Sequence, residues 1–195
     1  MNPRRRFLAT VLATSALLGS VLAASGCSTL GAVTALLGNQ VNFTQPQLQQ
    51  SLNRNFPKHY DKLGGLVSMT LLNPRLSIPQ GSNRLRLDFD LGIGALGSDS
   101  SRPSGHFALT SALRFDPTTR GLHLQDPAIE QVNVPSLGGM MNSSARGLLN
   151  DWLAGYARDE PVYRFDNSLL DRLGSRRIGR TDIEDGQVVV HLGDN

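Results

Sequence analysis

Cysteine is nearly absent: Cys27 is the single one among 195 residues. One thiol excludes a disulfide framework and any zinc or iron–sulfur centre assembled from several cysteines of this chain. Proline is sparse at 10 residues, which argues against a linker protein, and 39% hydrophobic against 18% charged residues argues against a disordered acidic chain. No repeat of fixed length and no Gly-x-Ser-x-Gly elbow is visible. The four histidines, His59, His106, His123 and His191, lie far apart, without a second His at helical spacing. His106 and His123 flank strand residues and could meet across a sheet, although a solvated wet-face histidine is the plainer reading. Nothing here nominates a catalytic residue, a metal or a cofactor, so a non-enzymatic protein is expected.

What is present begins with an address. Arg4, Arg5 and Arg6 precede an uncharged stretch, residues 7–24, rich in Leu, Val and Ala. Thr10, Thr14, Ser15, Gly19 and Ser20 interrupt it, so it makes a poor spanning helix and a good export signal. Ala23, Ala24, Ser25 and Gly26 then lead into Cys27, a pattern that resembles a bacterial lipobox, with Ala24 where Leu is usual. The expected organisation is a lipoprotein signal peptide over 1–26, a lipidated Cys27 with tether over 27–41, and one α+β domain over 42–195. Two or more acyl chains anchor stably, at roughly 0.8 kcal/mol per buried methylene. Ser28 follows the cysteine where Asp does not, which by resemblance to Gram-negative lipoproteins implies the outer membrane and its periplasmic face. The Arg4-Arg5-Arg6-Phe7-Leu8 run also resembles a twin-arginine motif, which leaves both export routes open. The formal net charge of +3 and the pI near 9.5 belong to this address. Removing residues 1–26 leaves sixteen basic residues against sixteen acidic ones. The membrane is therefore the expected partner, and nucleic acid is not.

Beyond the tether the spacing predicts a short amphipathic helix over about 45–56, with Thr44 as N-cap, Gln47 three residues on, and Leu48, Leu52 and Phe56 on one face. The period then changes. Alternation at Val67, Met69 and Leu71 is interrupted by Asn73-Pro74 and resumes at Leu76 and Ile78. Residues 84–95 alternate strictly, Leu85, Leu87, Phe89, Leu91 and Ile93 against Arg84, Arg86, Asp88, Asp90 and Gly92, which predicts a long strand with one dry and one wet face. Phe107, Leu109, Leu113 and Phe115 repeat the pattern. A helical stripe of Leu137, Met140, Met141, Leu148, Trp152 and Tyr156 follows over about 136–158, stopping before Pro161, and a hairpin through Glu184-Asp185-Gly186 closes the chain. This order predicts a long curved antiparallel sheet wrapped around a long amphipathic helix. The dry-face residues and the stripe, Leu85, Leu87, Phe89, Leu91, Phe107, Leu109, Leu113, Phe115, Met140, Met141, Leu148 and Trp152, form either a packed core or the lining of a groove for a lipid-like molecule. Periodicity does not distinguish the two, because both bury the same residues. With the anchor and the one-sided strands, binding of a lipid-like molecule in that groove is the expected function, and a non-catalytic structural or assembly accessory with a fully packed core is the alternative.

Two further patterns have bland alternatives. Gly92-Ile93-Gly94-Ala95-Leu96-Gly97 matches a dinucleotide fingerprint but precedes a Ser/Pro/Gly loop, where the pyrophosphate needs a helix N-terminus. Arg172, Arg176, Arg177 and Arg180 form the one basic cluster of the mature chain, either facing lipid phosphates or solvating a helix end.

The chain from Cys27 onward resembles the YceB-like bacterial lipoproteins, a family built on a domain of unknown function. The resemblance rests on Phe43-Thr44 leading into Leu48 and Leu52, the long strand ending in Leu96-Gly97-Ser98, the helix ending in Tyr156, Pro161-x-Tyr163-x-Phe165, and the final hairpin. It implies a tubular lipid-binding-like fold and an apolar ligand between sheet and helix. Gly138-Gly139 and a longer spacer after Cys27 depart from the family pattern.

Overall fold

The computed structural model describes residues 38–62, 67–95, 100–135 and 143–193. In chain order these form β1 (Gln40–Thr44), α1 (Gln45–Asn55), β2 (Lys58–Lys62), β3 (Val67–Ser77), β4 (Leu85–Ala95), β5 (Gly105–Asp116) and β6 (Gly121–Asn133). Then come α2 (Ser143–Asp159), β7 (Tyr163–Arg164), α3 (Asn167–Leu173), β8 (Arg177–Glu184) and β9 (Gln187–Gly193). A six-stranded sheet runs β2-β3-β4-β5-β6-β7, and a three-stranded sheet runs β1-β9-β8. Every neighbouring pair is antiparallel.

The alternation of β4 settles which side of the large sheet is dry. Leu85 and Leu87 are fully buried and Phe89 and Leu91 nearly so, opposite Leu109 and Phe107 of β5. Fully burying side chains of this size stabilises by roughly 1.5–3 kcal/mol each. Asn73-Pro74 does not end a strand as the interruption suggests. It is a bulge within β3, with Asn73 at φ 48°, across which pairing to β4 shifts register. β2 pairs only with residues 67–71 of β3, leaving the rest of that edge open. Helix α1 closes it with glutamine side chains: the Gln49 amide donates to the Pro74 carbonyl (2.7 Å) and accepts from the Leu76 N–H (2.7 Å). The ladder groups that a neighbouring strand would satisfy are satisfied by a helix. The start of α1 is fixed by the predicted pair, as the Gln47 side-chain oxygen accepts from the Thr44 N–H at 2.8 Å.

The expected α+β architecture, one curved sheet wrapped around a long amphipathic helix, is overturned. The protein is mostly β, with two antiparallel sheets and three helices of 11, 17 and 7 residues among the described residues. The reason lies in what covers the dry face. Val41 and Phe43 of β1, Ile183 of β8, and Val188, Val190 and Leu192 of β9 join the same core as β4 and β5, and Leu48 and Leu52 of α1 add to it. Phe43 meets Tyr163 (4.8 Å) and Phe165 (5.3 Å), and Phe165 meets Phe115 (5.1 Å), tying the small sheet to the large one. A second sheet thus supplies cover that the sequence reading assigned to the helix. Gln40 and Val41, read as tether, are part of β1. The helix expected over 136–158 is described as α2, about 26 Å long at 1.5 Å per residue. It buries Leu149, Trp152, Leu153 and Tyr156. Residues 136–142 lie outside the described residues.

Candidate functional site

The residues nominated for an apolar groove are packed against one another. Leu85, Leu87, Phe107 and Leu109 are 0% exposed, Phe89 and Leu91 1%, and Leu113 2%, while Phe115 is partly buried. Phe89 stacks on Phe107 at 6.1 Å, and Trp152 of α2 meets Phe107 edge-on at 5.9 Å. Met140, Met141, Cys27 and the Leu148 side chain lie outside what is described.

At one end of this core an aromatic group carries unsatisfied polar atoms. Tyr60 of β2 meets Trp152 edge-on at 5.5 Å, Trp152 stacks on Tyr156 at 5.4 Å, and Phe56 touches Phe89 and Tyr156. The Tyr60 hydroxyl and Trp152 Nε1 are buried without a hydrogen-bond partner. Burial raises the Tyr60 pKa to about 12, and the nearby Trp152 N–H opposes the rise in part without reaching hydrogen-bond geometry. Burial also raises the Tyr156 phenol well above its ordinary value. Tyr156 in turn lines a cavity of about 520 Å³ with Ser51, Arg54, Asn55, Lys58, Asp159, Glu160, Pro161 and Arg164. An ion pair between Lys58 and Glu160 crosses it, and Arg164 Nη1 donates to the Thr119 carbonyl at 2.9 Å. The recess can hold a polar group between its cations and carboxylates. It has no histidine or cysteine in its lining.

The wet face of the large sheet neutralises itself. Arg86 forks onto both oxygens of Asp88 at 3.0 Å and also pairs with Glu130, and His106 Nε2 lies 3.2 Å from Asp88. Arg75 (3.2 Å) and the Asn73 amide (2.8 Å) bind Asp90. Partial burial opposes ionisation of Asp88, but the Arg86 and His106 contacts outweigh it and hold the carboxyl below the usual range. Asp90 is lowered chiefly by the Asn73 amide. Same-face and cross-strand pairing therefore accounts for these carboxylates without a catalytic role. The glycine fingerprint falls differently. Residues 92–95 are strand, and at Gly92 a Cβ would stand 1.7 Å from the Ser100 carbonyl oxygen, so this glycine admits a returning backbone rather than a phosphate.

Three histidines have partners that the sequence reading did not give them. His59 Nδ1 lies 2.8 Å from Thr70 Oγ1, which lies 2.8 Å from Ser100 Oγ, and His59 Nε2 lies 3.1 Å from Asp61. This Ser–Thr–His–Asp chain lacks an accessible nucleophile, since Ser100 is 4% exposed. It ties Ser100 to β3. His123 is fully buried: its Nδ1–H donates to the Ala157 carbonyl (3.1 Å) at the end of α2, and its Nε2 accepts from the Thr119 hydroxyl (2.6 Å). Burial lowers its pKa, so it is a neutral cap on a helix end. His191 comes together with Asp182 and Glu184, with ligand atoms within 4.8 Å of one another. The signal was legible in the hairpin: a two-residue turn at Asp185-Gly186 pairs Glu184 with Gln187 and so Asp182 with Val189, two residues from His191. Arg180 Nε already sits 2.8 Å from the same Asp182 oxygen that His191 Nε2 approaches at 2.8 Å. A guanidinium there suits an ion-paired cluster better than a cation site.

No family model matches the chain, and no curated protein is similar enough to count as a relative. Among the described residues, no helix is long and apolar enough to cross a membrane.

Proposed function

We propose that this is a lipoprotein of the bacterial envelope, acylated at Cys27 and held on the periplasmic face of the outer membrane, whose β domain serves as a non-catalytic structural or assembly accessory. Its affinity is with the YceB-like lipoproteins. The observation that carries the choice of an accessory is the packed dry face: among the described residues, the β4 and β5 side chains that would line a groove, Leu85, Leu87, Phe89, Leu91, Phe107, Leu109 and Leu113, are 0–2% exposed, and Trp152 packs on Phe107. The anchor is supported by the small residues leading into Cys27. Replacing Cys27 by Ala and fractionating cells tests it. Loss of membrane association and of acyl mass is expected, and unchanged association with unchanged mature mass removes the reading.

A second reading, binding of a lipid-like apolar ligand, is favoured by one observation. The Tyr60 hydroxyl and Trp152 Nε1 are buried and unpartnered next to a charged recess, as donors waiting for an acceptor would be. Stoichiometric lipid retained through purification would support it and displace the packed-core reading.

A further inference from the structure

We propose that the arginine-bearing end of the three-stranded sheet is the surface this domain lays against anionic lipid headgroups of the bilayer that anchors it. The inference rests on the reading of Cys27 as the lipid anchor. β1 and β8 each run antiparallel to β9, so the start of β1, the start of β8 and the end of β9 fall at one end of the sheet. The register is explicit: Gln40 opposes His191, and Arg177 opposes Gly193. The chain from Cys27 enters at this end, where the Leu192 N–H donates to the Asn39 carbonyl (2.7 Å) and Arg176 Nη1 donates to the Gly38 carbonyl (3.1 Å). Arg176 and Arg177 stand at this end, Arg180 lies three residues into β8 and Arg172 in the last turn of α3; all four are exposed, and residues 172–180 include no carboxylate. Asp171 and Asp182 flank the segment, and Asp182 pairs with Arg180.

Ten residues lie between Cys27 and Gly38. Fully extended, the eleven steps from Cys27 to Gly38 reach at most about 40 Å. The anchor thus holds this end within about 40 Å of the bilayer, at an effective concentration on the order of millimolar. Guanidinium forks match phosphate oxygens bidentately, and the bond from Arg176 to Gly38 leaves most of its five N–H donors for other acceptors. The attraction acts within a Debye length of about 8 Å, so it needs the close approach that the tether supplies.

The test is amide hydrogen exchange on the full chain purified from membranes and reconstituted into vesicles of phosphatidylcholine alone or mixed with phosphatidylglycerol. Exchange over residues 172–180 is expected to slow several-fold in the anionic vesicles only. The R172Q/R176Q/R177Q/R180Q variant should lose the slowing, and the matching lysine variant should keep most of it. Unchanged exchange in β4 and β5 of the same samples shows that the variants fold. Equal exchange in both vesicles, or slowing that the glutamine variant retains, overturns the inference. Intact mass of the same sample reads acylation at Cys27 separately, so an acylated chain without slowing defeats this surface and leaves the anchor standing.

Discussion

Strand β4 lives in two environments at once. On one side Leu85, Leu87, Phe89 and Leu91 are at most 1% exposed. On the other, Arg86, Asp88 and Asp90 keep 30%, 19% and 25% of their side chains in contact with solvent and pair among themselves and with β3, β5 and β6. The first face is closed by volume and the second by charge. Among the described residues of β4 neither face presents an opening for a partner, which turns attention to the aromatic group with its two unsatisfied polar atoms and to the arginine-bearing end of the small sheet where the tether enters.

Breaking the dry face should have the largest effect. Phe107→Ala removes a fully buried ring that touches both Phe89 and Trp152. Urea unfolding should register a loss of about 3–5 kcal/mol. A loss under about 1 kcal/mol would mean that the site is already spacious, as a ligand groove requires. Next comes Gly92→Ala, where the added methyl runs into the Ser100 backbone. A loss of roughly 1–3 kcal/mol is expected from overpacking, read by the same titration. Asp88→Asn on the wet face should cost under about 1 kcal/mol, because the pairs are partly solvated and Arg86 retains Glu130.

Acid is the mildest perturbation and separates buried from paired groups. His123 has a lowered pKa when folded, so between the ordinary value of about 6.5 and its folded value the unfolded chain takes a proton that the folded one refuses. Stability present above about pH 6.5 is lost as pH falls toward the folded value. Asp88 and Asp90, also lowered, add a second loss that begins only near pH 4. The unfolding midpoint should therefore fall first in the His123 window. His123→Gln should flatten that first decline and leave the second. A midpoint flat from about pH 7 to pH 5 would place His123 in solvent instead.

Much of the local structure was legible. The Thr44/Gln47 pair marks the start of α1, alternation marks β4 and β5, and Asp185-Gly186 makes the final turn. Each of these signals is confined to neighbours in sequence. What covers the dry face was not legible, because Val188, Val190 and Leu192 give the same alternation whether they extend one sheet or build a second. The same limit hid the role of β1, whose five residues pair with the far end of the chain. Of the candidate site, the apolar residues were found and their closure was not. The buried His123 was missed because its partners, Thr119 and the Ala157 carbonyl, leave no pattern in side-chain spacing.

The most direct test of the central claim is native mass spectrometry of the full chain released from membranes in mild detergent. The account predicts a polypeptide that begins at an acylated Cys27 and carries no further stoichiometric mass. A bound lipid retained one-to-one would contradict the packed core, and an unmodified chain beginning at Met1 would contradict the anchor.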